Sequence, residues 1–175
     1  MANRSLYPTF SDAEFARRHQ AVRAFLGEDD ATALVVYGGR SLEVQYLTGW
    51  PGTREVYLVF PREGPPTLFV QLYNHLPNAQ RMAVIPDVRW GGTSSPDSVI
   101  ENLKERGIEG GRVGLVGPVP WQHYNKLREG LPRVEFTDLS ARLRRLETVK
   151  SDEEIERIRI AARYSDLAMR ALEEQ

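Results

Sequence analysis

Three histidines, His19, His75 and His123, are the first residues to weigh as acids, bases or metal ligands, and their spacing keeps them apart. No H-x-x-x-H or H-E-x-x-H pair sets two imidazoles on one helical face. His19 and His123 fall within predicted helices, where a surface or interface role is the default. His75, in QLYNHLPNAQ, follows a predicted strand, where functional loops gather. The sequence has no cysteine, which excludes a thiolate nucleophile, a disulfide framework and a cysteine-ligated zinc site. None of the serines sits in a G-x-S-x-G elbow. GIEGGRVGLVG is rich in glycine, but a phosphate-binding loop follows a strand and opens a helix. Gly110 and Gly111 instead precede the strand they adjoin. What remains is aromatic or basic and lies in predicted loops: Trp50 and Arg54 in LTGWPGTREV, Tyr73 and His75, and Trp90 in VRWGG. Trp50, Arg54, His75 and Trp90 are the candidate site residues. Trp and Arg are enriched where partners or ligands dock, so the four are read as one rim of a substrate pocket or a subunit contact. The plainer alternative is two tryptophans capping a sheet and a surface charge.

The elements that must position them are legible from periodicity. SDAEF at Ser11 reads as a capping box opening a helix that buries Phe15, Val22 and Leu26 and stops at Gly27. TALVVYG (32–38) reads as an interior strand, and SLEVQYLTGW as a helical turn running into a loop. VYLVFP (56–61) and TLFVQL (67–72) flank REGPP and predict an antiparallel pair. PNAQRMAV is a predicted helix and DVRW a short strand. SSPDSVIENLKERG predicts a helix capped by Ser95, with Pro96 first and Gly107 at its end. RVGLVG (112–117) and RVEFTD (133–138) are predicted strands around a helix with Trp121, Tyr124, Leu127 and Leu131 on one face. The sum is an α/β fold with a mixed sheet of five or six strands flanked by helices.

At 175 residues the chain suits one domain of ordinary size. Lys and Arg number 23 against 24 Asp and Glu, so the near-neutral balance gives no case for nucleic acid or an anionic membrane. MANRSLYPTF lacks the apolar core of a secretion signal and no apolar run reaches the length of a membrane span, so a cytoplasmic protein is expected. An Arg- and Glu-rich shift near residue 140 is the expected boundary between a domain (1–140) and an appendage (141–175). In that appendage Ser151 and Glu154 form a second capping box. Ile155, Ile158, Ala162, Ser165, Met169 and Leu172 then share one helical face with no stop signal after it. Such a stripe is expected to lean on its own domain, pair with another copy, or fray.

Two stretches resemble a known family. VQYLTGW (44–50) looks like the YLTGF-type signature in the N-terminal domain of the creatinase, prolidase and aminopeptidase P family, and RRLETVKSDEEIERIRIAARYSDLAM (144–169) looks like its inter-domain segment. The order of elements is similar over the whole chain. The resemblance implies an N-terminal domain with ribonuclease H-like topology, although no clustered acidic motif supports nuclease chemistry. It also implies that residues 141–175 are the linker and first helix of a C-terminal catalytic domain. That domain would carry two divalent metal ions (Mn, Co or Zn) on Asp, Asp, His, Glu and Glu ligands with no counterpart here. No catalytic residue, metal or cofactor is therefore expected in this chain. Family members build dimers or higher oligomers through this domain, and its loops reach a neighbouring subunit's active site. Trp90 matches an aromatic placed there in aminopeptidase P-like members, and Trp50 to Arg54 a stretch near substrate in creatinase-like ones. WPGTRE departs from the commoner F-x-G-S pattern, which leaves the substrate class open. The resemblance implies the non-catalytic domain of a metal-dependent hydrolase that is an Xaa-Pro peptidase, the alternatives being a domain of a creatinase-like amidinohydrolase or a stand-alone binding or assembly module.

Overall fold

The structure, a computed structural model, describes residues 9–39, 42–52 and 54–174. Its elements follow in the order α1 (Asp12–Glu28), β1 (Ala31–Gly38), α2 (Leu42–Thr48), β2 (Val56–Pro61), β3 (Thr67–Val70), α3 (Leu76–Met82), β4 (Asp87–Trp90), α4 (Ser95–Glu105), β5 (Gly110–Val116), α5 (Trp121–Gly130), β6 (Arg133–Asp138), α6 (Ser140–Thr148) and α7 (Asp152–Glu173). Ser41, the first residue of the predicted turn SLEVQYLTGW, lies outside the described residues.

The six strands form one sheet in the order β4-β3-β2-β1-β5-β6. β2 runs antiparallel to both neighbours, while β3–β4, β1–β5 and β5–β6 pair in parallel. Alternate residues of the central strands serve two cores. Leu34, Val36, Leu58 and Phe60 join Val22, Leu26, Leu47 and Leu143 on the side of α1, α2 and α6. Ala33, Val35, Tyr57 and Val59 join Val99, Leu103, Leu127 and Leu131 on the side of α4 and α5. Burial on both faces is why VYLVFP is unbroken by a charge.

Three expectations are corrected. Gly27 lies inside α1, and the chain turns instead at Asp30, whose φ is +49°. α4 is capped one residue earlier, at Ser94. On α5 only Leu127 is buried, whereas Trp121 is 70% exposed. Past the composition shift at residue 140, α6 packs on the globular body, with Leu143 fully buried and Arg142 bonded to Asp29 at 2.7 Å. The chain leaves that body within α7.

The root of α7 is tied to α1 through a node of buried charge. Glu154 completes its own capping box with Ser151 and accepts a bond from Arg18 Nη2 at 2.9 Å. Arg18 also donates to Glu14 at 2.8 Å and to the Tyr46 carbonyl at 2.9 Å, and its guanidinium lies 4.1 and 4.2 Å from the ring centres of Phe10 and Tyr46. The box expected at Ser11 is shared across the chain. Ser11 Oγ accepts from the Glu14 amide, but the return bond to Ser11 N comes from Glu153, at 2.7 Å. Glu14 is freed to take Arg17 and Arg18. Beyond this root the apolar stripe leans on nothing among the described residues: Ile158, Met169 and Leu172 are each at least half exposed.

Glu14 gives the node an acid dependence. Its bonds to Arg17, and then to Arg18, hold its carboxyl at about 2 against an ordinary 4.5. A depressed carboxylate stabilises the fold above its unfolded pKa and loses that contribution as pH falls through the folded one. The contribution of Glu14 is therefore complete above about pH 4.5 and disappears as pH falls towards 2. Urea unfolding across that window should show a shallower loss of stability for Glu14→Gln than for the unaltered chain; identical slopes would contradict this assignment.

Candidate functional site

Because β2 is reversed, the 39–55 connection begins and ends at the same end of the sheet. The segments following β3, β4, β5 and β6 emerge there too. This is the end where α/β folds commonly hold ligands.

The YLTG turn is a helix terminus. The Gly49 amide bonds the Gln45 carbonyl at 2.8 Å, and Gly49 takes a φ of +74° to leave α2. Thr48 Oγ1 donates to the Val44 carbonyl and accepts from the Trp50 amide at 3.1 Å. The turn drives Trp50 inward, where it is 2% exposed in the larger core and its Nε1 has no hydrogen-bond partner. Trp50 is thus a packing residue and presents no wall to a ligand. Arg54 is exposed just before β2. Trp90 closes β4, is 42% exposed, and donates from Nε1 to the Gln71 carbonyl at 2.8 Å. Tyr73 meets it edge to face at 5.6 Å. This makes an aromatic ledge fixed to main chain at one end. His75 ends a short helical turn (Tyr73–His75) beside it and is half-buried. Arg54, His75 and Trp90 therefore share one end of the sheet, while Trp50 does not share their surface.

A polar cleft of about 590 Å³ adjoins the ledge, lined among others by Glu55, Thr93, Ser94, Ser95, His123 and Lys126. Tyr57 Oη lies 2.9 Å from His123 Nδ1, and Glu55 Oε2 lies 3.8 Å from the same nitrogen. Burial pushes the Tyr57 phenol far above its ordinary pKa, so it keeps its proton and shares a hydrogen bond with His123 Nδ1. Lys126 Nζ bonds Asp97 at 2.6 Å and Ser94 Oγ at 3.0 Å, which holds the Asp97 carboxyl below its usual range. The sequence placed His123 on a helix surface and did not single out Glu55 or Lys126. The available signal was the spacing of His123 and Lys126, one turn apart on α5. His19 is structural: its Nε2 lies 2.7 Å from the Leu47 carbonyl, and burial lowers its pKa. Among the described residues no group of three or more His, Asp or Glu could hold a metal ion. Nor does any of their helices suit a membrane span by length and apolarity.

The element order, the glycine-terminated α2 and the sheet topology meet in one comparison: the profile of the Creatinase/Prolidase N-terminal domain matches residues 18–160. The chain belongs to the creatinase/prolidase N-terminal domain family. No curated protein matches the sequence. Among solved structures, the prolidase from Pyrococcus horikoshii OT3 superposes with a TM-score of 0.71 at 21% identity, over 91% of this chain and 43% of that one. The Xaa-Pro dipeptidase from Bacillus anthracis gives 0.69 at 17% identity, over 81% and 38%. The N-terminal domain of the cytoplasmic peptidase PepQ from Mycobacterium tuberculosis H37Rv gives 0.63 at 16%, over 74% and 98%. At these identities the likeness shows the fold. The chain spans well under half of the first two proteins and nearly all of the third.

Proposed function

We propose that this creatinase/prolidase N-terminal domain serves as the non-catalytic domain of a cytoplasmic metal-dependent hydrolase of the Xaa-Pro peptidase type. It makes oligomer contacts and supplies one wall of a neighbouring subunit's substrate pocket. The observation that carries this is the ledge of Trp90 and Tyr73, two exposed aromatics anchored to main chain beside exposed Arg54 and half-buried His75. A ledge of this kind offers apolar contact at small entropic cost, and an arginine fork suits a carboxylate. The two divalent metals of the proposed hydrolase do not fit the residues described here, which lack a convergent ligand set, and no chemical step is assigned to this chain. Likeness to the Bacillus anthracis Xaa-Pro dipeptidase and the Pyrococcus horikoshii prolidase supports the substrate class.

In the longer protein, Trp90→Ala should lower kcat/KM for an Xaa-Pro dipeptide about tenfold while leaving metal content unchanged. An unaltered kcat/KM would remove the ledge from the pocket. Hydrolysis of the same dipeptide by the pure 175-residue chain with added Mn²⁺ would overturn the non-catalytic assignment.

A further inference from the structure

We propose that the polar cleft between β2, the start of α4 and α5 binds a small zwitterion of the α-amino acid class, its carboxylate on Lys126 and Ser95 and its ammonium on Glu55. The inference is independent of the reading above, because it concerns ligand binding by this chain alone.

The cleft holds unsatisfied hydrogen-bonding capacity of both kinds. Ser95 is 4% exposed and lines the cleft, yet its Oγ has no partner. A buried hydroxyl left so is destabilising, and a ligand oxygen that reached it would restore the missing bond. Ser94, the N-cap of the eleven-residue α4, does not cap it with its side chain, because its Oγ accepts from Lys126 instead. The first turn of that helix carries Asp97, whose carboxylate is ion-paired to Lys126 at 2.6 Å, so Lys126 rather than the helix end supplies the donor capacity. Lys126 has three N–H donors, and its contacts to Asp97 and Ser94 occupy two of them. These groups favour a carboxylate.

Glu55 argues against a simple anion. Its side chain is 17% exposed, lines the same cleft, and has His123 as its ion-pair neighbour at 3.8 Å. A phosphate or acetate would bring like charge to it, whereas a ligand with an ammonium beside its carboxylate satisfies both ends. A simple cation would leave the third Lys126 proton and the Ser95 hydroxyl without an acceptor. His123 lines the cleft together with Glu55 and Lys126 and adds an imidazole to it.

The test uses the 175-residue chain and four probes: glycine, acetate, methylammonium and inorganic phosphate. Glycine should give saturable amide shifts at residues 93–97 and 123 with a Kd of about 1 mM. Acetate, methylammonium and phosphate should each bind at least roughly tenfold more weakly. Glu55→Gln and Lys126→Met should each weaken glycine binding by about tenfold, with circular dichroism unchanged. Absence of saturable shifts, acetate or phosphate binding as tightly as glycine, or shifts indifferent to both variants would each overturn the proposal. The comparison of probes on the unaltered chain decides the matter should a variant fail to fold.

Discussion

Arg18→Ala is expected to lower the unfolding free energy by about 3–5 kcal/mol, the loss typical of breaking a buried ion pair from one side. The guanidinium is 2% exposed and serves two carboxylates, Glu14 and Glu154, that are themselves 4% and 8% exposed. Removing it leaves Glu154 buried without that partner and costs the stacking against Phe10 and Tyr46. Arg17 still reaches Glu14 at 2.8 Å, which keeps the loss from growing further. Urea unfolding at neutral pH measures the total. Hydrogen exchange locates it: amides in the first turns of α1 and α7 should lose protection together, since Glu153 and Glu154 knit those two helix starts. A loss below about 1 kcal/mol, in the range of an exposed pair, would show that the node is no more than surface electrostatics.

Gly117→Ala is the second large effect, expected to cost about 2–5 kcal/mol from left-handed strain and overpacking combined. Gly117 follows β5 with a φ of +90°, and a Cβ there would fall inside contact distance of the Tyr37 carbonyl oxygen. That oxygen belongs to the neighbouring strand, so relief requires the β1–β5 pairing itself to open at the end that carries the candidate site. Gly107, also at positive φ (+72°), supplies the control: nothing lies within 4 Å of its would-be Cβ, so Gly107→Ala carries only the conformational part. Thermal unfolding of the pair separates collision from strain. Equal losses would mean that the Tyr37 contact contributes nothing.

The strands could be read from sequence because burial on both faces writes itself as continuous apolar runs, and the hairpin because REGPP breaks one. The Ser151–Glu154 box could be read because its two partners are three residues apart. The box at Ser11 could not be read in full. Its returning carboxylate is Glu153, 142 residues away, while the local Glu14 is claimed by arginines. Trp50 illustrates a different limit: the motif shows a turn, but whether the following ring points in or out depends on the core beneath it. Trp90 was legible as an exposed aromatic at a strand end, yet the ledge required Gln71 and Tyr73 from the next strand's exit. The cleft was least visible, because Glu55, Ser95 and His123 come from three segments and meet only when the sheet order is known.

The rooting of α7 also has a mechanical meaning. At 22 residues the helix is about 33 Å long, and beyond Ile160 each of its described residues is exposed. It is a lever whose fulcrum is Arg18. A tilt of only about 5° at the fulcrum sweeps the far end through roughly 3 Å, close to a full side-chain offset in any surface that packs on the stripe. A flexible tether would leave such a surface to find its own register. A stiff arm on a buried ion cluster transmits angular error instead, so small repacking around Phe10, Tyr46 or Glu154 is geared up into displacement at a distance.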